Sequence, residues 1–178
     1  MRRKLQLDEL NRLTPEEYKA VEKIPLIFVL DNIRSGLNVG AAFRTADAFA
    51  VSKIVLCGIT AKPPHREILK TAIGANETVD WEYEESIVAA LDKLSRADVE
   101  LIGIEQTSDS ENLFNADFAF HRKTALVFGN EVQGISDKAV TLLDRVIEIP
   151  QYGTKHSLNV SVTIGICAAE YRRQFEVR

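Results

Sequence analysis

The amino-acid sequence predicts an α/β fold, with a mainly parallel β-sheet carrying helices on both faces. Three observations point there. Short apolar runs alternate with helix-length amphipathic stretches along most of the chain. A length of 178 residues allows one sizeable core and falls short of two ordinary domains. Glycine and polar side chains gather in loops that follow strands, where parallel α/β sheets place their ligand sites.

The first element is a helix near residues 14–22. Thr14 caps it, Pro15 suits its first turn and Glu17 completes a capping box. Ile24 to Leu30 then reads as a strand buried on both faces, and the alanine-rich segment Val39 to Phe49 as a helix. Lys53 to Cys57 is strand-like, Pro64 to Ile73 helical, Thr78 to Trp81 a short strand, and Glu84 to Arg96 an amphipathic helix. Val99 to Ile104 and Thr124 to Phe128 are strands, Ser136 to Leu143 a helix, and Val146 to Ile149 a further strand. The last stretch, Leu158 to Phe175, is helical. Its first half (Leu158, Val160, Val162, Ile164, Ile166) is apolar enough to predict burial on most sides. Residues 1–23 form a short arm with one helix, and residues 24–178 form the main domain.

Composition narrows the function. The chain is 46% hydrophobic and 27% charged, as globular proteins are. No apolar run approaches the roughly 20 residues of a membrane span, and none follows the basic start as a signal peptide requires. Cys57 and Cys167 stand alone, and no Cys/His cluster has metal-ligand spacing, so neither a metal nor a disulfide framework is expected. A cytoplasmic location fits these features. The net charge of −4 argues against a surface that coats nucleic acid broadly. Local basic patches at Arg2-Arg3-Lys4, Lys62–Lys70 and Arg172-Arg173 leave phosphate contact open.

Three loops carry the chemical signal. The first runs from Asp31 through Asn32, Arg34 and Asn38 to Arg44-Thr45, and sets amides and guanidinium forks at a strand-to-helix turn. Asn38 and Arg44 are six residues apart, about 120° from superposition on a regular helix. An N-cap at Asn38 and a surface Arg44 are the plain alternative. The second, Phe128 to Ser136, has two glycines after a buried strand and a carboxylate, Glu131, that a mere connector does not need. The third, Ile149 to Val162, passes through a polar glycine loop to Ser157, which opens the last helix; Asn159 is a further cap-type residue. The adjacent His156 and Ser157 invite a hydrolase reading, but no nucleophile elbow is present.

These loops resemble, in order, the three signature motifs of the SpoU (TrmH-like) branch of SPOUT RNA 2′-O-ribose methyltransferases. Asn38-Val39-Gly40-Ala41-Ala42-Phe43-Arg44-Thr45 matches N-x-G-x-x-x-R-T, residues 128–136 match F-G-N-E-x-x-G-x-S, and residues 149–162 match I-P-x-x-G-x-x-x-S-L-N-V-S-V. The resemblance covers roughly residues 24–172. It implies a C-terminal trefoil knot, a rare exception to ordinary chain topology. It also implies S-adenosylmethionine as cofactor, a homodimer, and methylation of a ribose 2′-hydroxyl in tRNA or rRNA. The acidic balance favours a compact target such as a tRNA arm. A binding or assembly factor without catalysis is the alternative.

By position, the resemblance implicates Gly129, Asn130, Ile149, Gln151, Ser157 and Leu158 in holding the cofactor. Arg44, Asn38, Glu131, Ser157 and Asn159 become the catalytic set. Arg44 is expected to orient the hydroxyl and an RNA phosphate rather than take the proton, because guanidinium stays charged. Glu131 is expected to hold Arg44 in an ion pair, with Asn38 placing the ribose or Arg44. Methyl transfer from a sulfonium loses positive charge from sulfur and requires no metal. The short arm leaves RNA contact to the main domain, a partner chain and the basic N-terminus.

Overall fold

Seven strands run parallel in one sheet ordered β3-β2-β1-β6-β4-β7-β5, as a computed structural model of the protein describes for residues 2–178. Met1, the first residue of the expected arm, lies outside the described residues. The strands are β1 (Ile24–Asp31), β2 (Val51–Cys57), β3 (Trp81–Glu84), β4 (Glu100–Ile104), β5 (Glu111–Asn112), β6 (Thr124–Phe128) and β7 (Arg145–Glu148). The helices are α1 (Pro15–Ala20), α2 (Gly36–Ala48), α3 (Arg66–Ala72), α4 (Ala75–Thr78), α5 (Ile87–Arg96), α6 (Asp137–Val140) and α7 (Val160–Glu176), with a 3-10 turn at Leu7–Leu10.

Alternation along β1 builds both faces of the core. Leu26, Phe28 and Leu30 pack with Val39, Phe43 and Tyr171 on the face covered by α2 and α7. Ile27 and Val29 pack with Leu91, Leu94 and Ala139 on the face covered by α5 and α6. The expected parallel sheet with helices on both faces is therefore present. Cys57 and Cys167 are buried and unpaired, and burial pushes both thiols up to about 12, which leaves them inert.

Several boundaries move, each for a local reason. Helix α2 starts three residues before the expected Val39, because the Ser35 hydroxyl caps it by accepting from Asn38 N–H at 3.3 Å. The strand expected at Thr78–Trp81 lies at Trp81–Glu84. Thr78 instead closes α4, where its hydroxyl donates to Asp47 Oδ1 at 2.9 Å. Glu84 belongs to that strand and not to α5, and it pairs with Lys93 at 2.8 Å. Helix α6 is one turn, shorter than Ser136–Leu143. Helix α7 opens at Asn159, whose side chain accepts from Ser161 N–H at 2.9 Å, so Ser157 stands in the loop before it.

The expected burial of the first half of α7 on most sides is corrected. Val160 and Ile164 are buried, but Val162 is 49% exposed and Leu158, just before the helix, 39%. Further along, the buried Tyr171 hydroxyl donates to Pro25 O at 3.1 Å and ties α7 to the start of β1. The arm docks through Tyr18, whose hydroxyl donates to Asp47 O at 3.1 Å. No helix among the described residues is long and apolar enough to cross a membrane.

Candidate active site

In an all-parallel sheet every strand ends at the same edge. Because β1, β6, β4 and β7 are neighbours, the loops that leave them are neighbours too. The three loops singled out in the sequence therefore meet, although 93 residues separate Asn38 from Glu131 and 121 separate Asn38 from Asn159.

The second loop is a tight turn. Asn130 and Gly134 exchange backbone hydrogen bonds at 3.0 and 2.9 Å, and Asn130 Oδ1 accepts from Val132 N–H at 2.9 Å and from Gln133 N–H at 3.2 Å. Two glycines make this closure possible. A Cβ on Gly129 would lie 2.1 Å from the Gly134 carbonyl carbon, and Gly134 adopts φ +68°. The Asn130 amide donates to Asn32 O at 2.7 Å and fastens this turn to the first loop. Asn32 itself adopts φ 55°, which Asn tolerates better than most residues, and its Oδ1 accepts from Ile59 N–H at 3.1 Å.

Glu131 is the junction. Its carboxylate accepts from Arg34 N–H at 3.2 Å, Ser35 N–H at 3.4 Å and the Asn38 amide at 3.0 Å. Asn38 Oδ1 in turn accepts from the Asn159 amide at 3.3 Å, so Glu131, Asn38 and Asn159 form a chain across all three loops. Partial burial pushes the Glu131 carboxyl up, but hydrogen bonds from its own N–H, Arg34, Asn38 and Ser35 outweigh it and hold it below its ordinary value.

The expected Glu131–Arg44 ion pair does not form. Those donors occupy the carboxylate, and six helical residues carry Arg44 about 9 Å along α2 and about 120° around it. Arg44 is exposed and borders a separate depression of about 460 Å³ with Thr45, Lys70 and Thr71.

A larger cavity, about 890 Å³, opens beyond β4, β6 and β7. Gly129, Asn130, Glu131, Ile149, Gln151, Ser157, Leu158 and Asn159 line it; Asn38 joins through Glu131 and Asn159, and Arg44 does not border it. Its size falls within the roughly 300–1,000 Å³ typical of small-molecule sites. Among the described residues, Glu105, Glu131, Asp137 and Glu148 border it, with no Lys or Arg, while Ile149 and Leu158 add apolar wall. Such a lining favours a nucleoside-sized ligand bearing positive charge and disfavours a polyphosphate. Sequence reasoning missed Glu105 and Gln106, which follow β4. They carry no glycine and no motif, and only the rule that ligands sit beyond strand ends would have found them.

Comparison with known proteins gives concordant results. The sequence pattern of the SpoU rRNA Methylase family matches residues 25–169. The 23S rRNA (guanosine-2′-O-)-methyltransferase RlmB of Neisseria meningitidis serogroup B is 32% identical over 150 residues, which cover 84% of this chain and 59% of that protein. The chain thus spans about six tenths of that relative's length. The crystal structure of the A. aeolicus TrmH/SpoU tRNA modifying enzyme superposes with a TM-score of 0.81 at 30% identity, over 92% of this chain and 83% of that one. The SpoU methyltransferase AviRb from Streptomyces viridochromogenes, in complex with AdoMet, gives 0.77 at 25% identity, over 90% and 61%.

Proposed function

The chain belongs to the SpoU rRNA Methylase family, and we propose that it transfers a methyl group from S-adenosylmethionine to a ribose 2′-hydroxyl of ribosomal RNA. The observation that carries this reading is the Glu131–Asn38–Asn159 chain, which joins three sequence-distant loops beside one acidic cavity. Ribosomal RNA replaces the tRNA arm expected from the acidic balance, because the Neisseria relative is named for 23S rRNA.

The cavity fits the cofactor by size and by its carboxylate lining, which suits a sulfonium and an ammonium group. Gly129, Ile149, Gln151, Ser157 and Leu158 would hold it, and Asn130 shapes the turn that presents Gly129. When bound, the cofactor supplies a methyl group already activated on sulfur, which leaves positioning of the ribose oxygen and loss of its proton. Asn38, oriented on one side by Glu131 and on the other by Asn159, presents a fixed amide to the ribose. Arg44 has no carboxylate within 4.0 Å among the described residues, which leaves its guanidinium fork free to grip an RNA phosphate.

The trefoil knot and the homodimer belong to the same proposal. The return of α7 from β7 to pack on α2 and β1 supports the first, and exposed Leu158 and Val162 beside the cavity support the second. A ribosomal RNA substrate supports a cytoplasmic location as part of the same reading.

The test is transfer of labelled methyl from S-adenosylmethionine to RNA from a strain lacking the gene, followed by sizing and digestion to nucleosides. Label is expected in one 2′-O-methylnucleoside of ribosomal RNA. Label on a base would overturn the ribose chemistry, and label in tRNA the choice of substrate.

A further inference from the structure

We propose that the loop after β4 is a two-sided clamp on the cofactor cavity, with Glu105 and Gln106 as positioning residues for the two loops that would hold the cofactor. This rests on the cofactor reading above. Glu105 N–H donates to Ile147 O at 3.1 Å, which fixes its backbone against β7. From there its carboxylate reaches sideways and accepts from Ile135 N–H at 3.1 Å. The contact is close: a Cβ on Gly134 would lie 2.2 Å from Glu105 Oε2. The 129–135 turn therefore rests on this carboxylate.

The next residue holds the opposite wall. The Gln106 amide donates to His156 O at 2.8 Å. Among the described residues, this is the one hydrogen bond that reaches any of residues 150–158, a stretch that is exposed from Gln151 onward. The Ser157 and Leu158 groups that line the cavity follow directly on that carbonyl. Without the clamp, the 150–158 loop has only its two ends to define its path, and ligand binding must supply the ordering. A second hydrogen bond, from Gln106 N–H to Glu105 Oε1 at 2.9 Å, couples the two halves.

The effect should fall on cofactor affinity more than on the later steps. Gln106→Met keeps length and removes the donor; Glu105→Met removes the acceptor; Glu105→Gln retains an acceptor oxygen. Calorimetric titration with S-adenosylmethionine should show affinity reduced about tenfold in each Met variant, about 1.4 kcal/mol. Glu105→Gln should stay within about threefold. The loss should appear in the KM for S-adenosylmethionine more than in turnover at saturating cofactor, and amide exchange at residues 150–158 should quicken in Gln106→Met. A merely structural role would lower turnover and thermal stability instead. Equal affinity in wild type and both Met variants would overturn the clamp alone. Absence of cofactor binding by the wild-type chain would overturn the cofactor reading, and the clamp with it.

Discussion

Replacing Asn38 by Asp tests the junction between the loops with almost no change in shape. The variant keeps the acceptor that meets Asn159 and turns the amide that meets Glu131 at 3.0 Å into a second carboxylate. Two unit charges at that separation repel by about 1.4 kcal/mol in water and by several at lower effective dielectric. Glu131 reaches solvent, so the lower figure governs. Loss of the charge-assisted hydrogen bond adds about 1 kcal/mol, for about 2 kcal/mol in all. In a chain of this length that lowers Tm by about 4–8 °C at pH 7. Repulsion raises the upper of the two folded-state pKa values of the pair, so the penalty is full above that raised value and is lost as pH falls through it toward the unfolded value. Thermal unfolding of wild type and variant, compared at pH 7 and at about pH 4.5, should show the gap shrink below about 2 °C in acid. A gap that is absent at pH 7, or the same at both pH values, would refute the placement of Asn38 against Glu131.

Two other substitutions probe the framework. Gly134→Ala forces a Cβ onto a residue at φ +68° and into the Glu105 carboxylate; calorimetry should show a Tm lower by about 4 °C, and titration weaker binding of S-adenosylmethionine. Tyr171→Phe removes a buried donor from Pro25 O; urea unfolding should register a loss of about 1–2 kcal/mol, with methyl transfer at 25 °C unchanged.

The strands were legible where burial is two-sided. Thr124–Phe128 lies between β1 and β4 in mid-sheet, and its continuous apolar run predicts its ends correctly. At the sheet edge the pattern misleads: Thr78 looks strand-like, yet its hydroxyl answers to Asp47, while Trp81 turns to meet Phe43 edge-on at 6.5 Å. The site was legible as three loops because their residue types are unusual for connectors. Its wiring was not. Opposite charge suggested Arg44 for Glu131, whereas the carboxylate sits over backbone N–H groups that a sequence does not display. Gln106 was invisible for the same reason, since its partner is the carbonyl of a residue 50 positions away.

The central claim, that these loops catalyse methylation of a ribose, is tested most directly by mass spectrometry of ribosomal RNA nucleosides. The RNA would come from a strain lacking the gene, complemented with wild type or with Arg44→Ala. Arg44 is exposed and outside the cavity, so the variant should fold and bind cofactor normally. The account predicts that one 2′-O-methylnucleoside returns with wild type and stays absent with the variant. Full return of that nucleoside with Arg44→Ala, or of a base-methylated one with wild type, would contradict it.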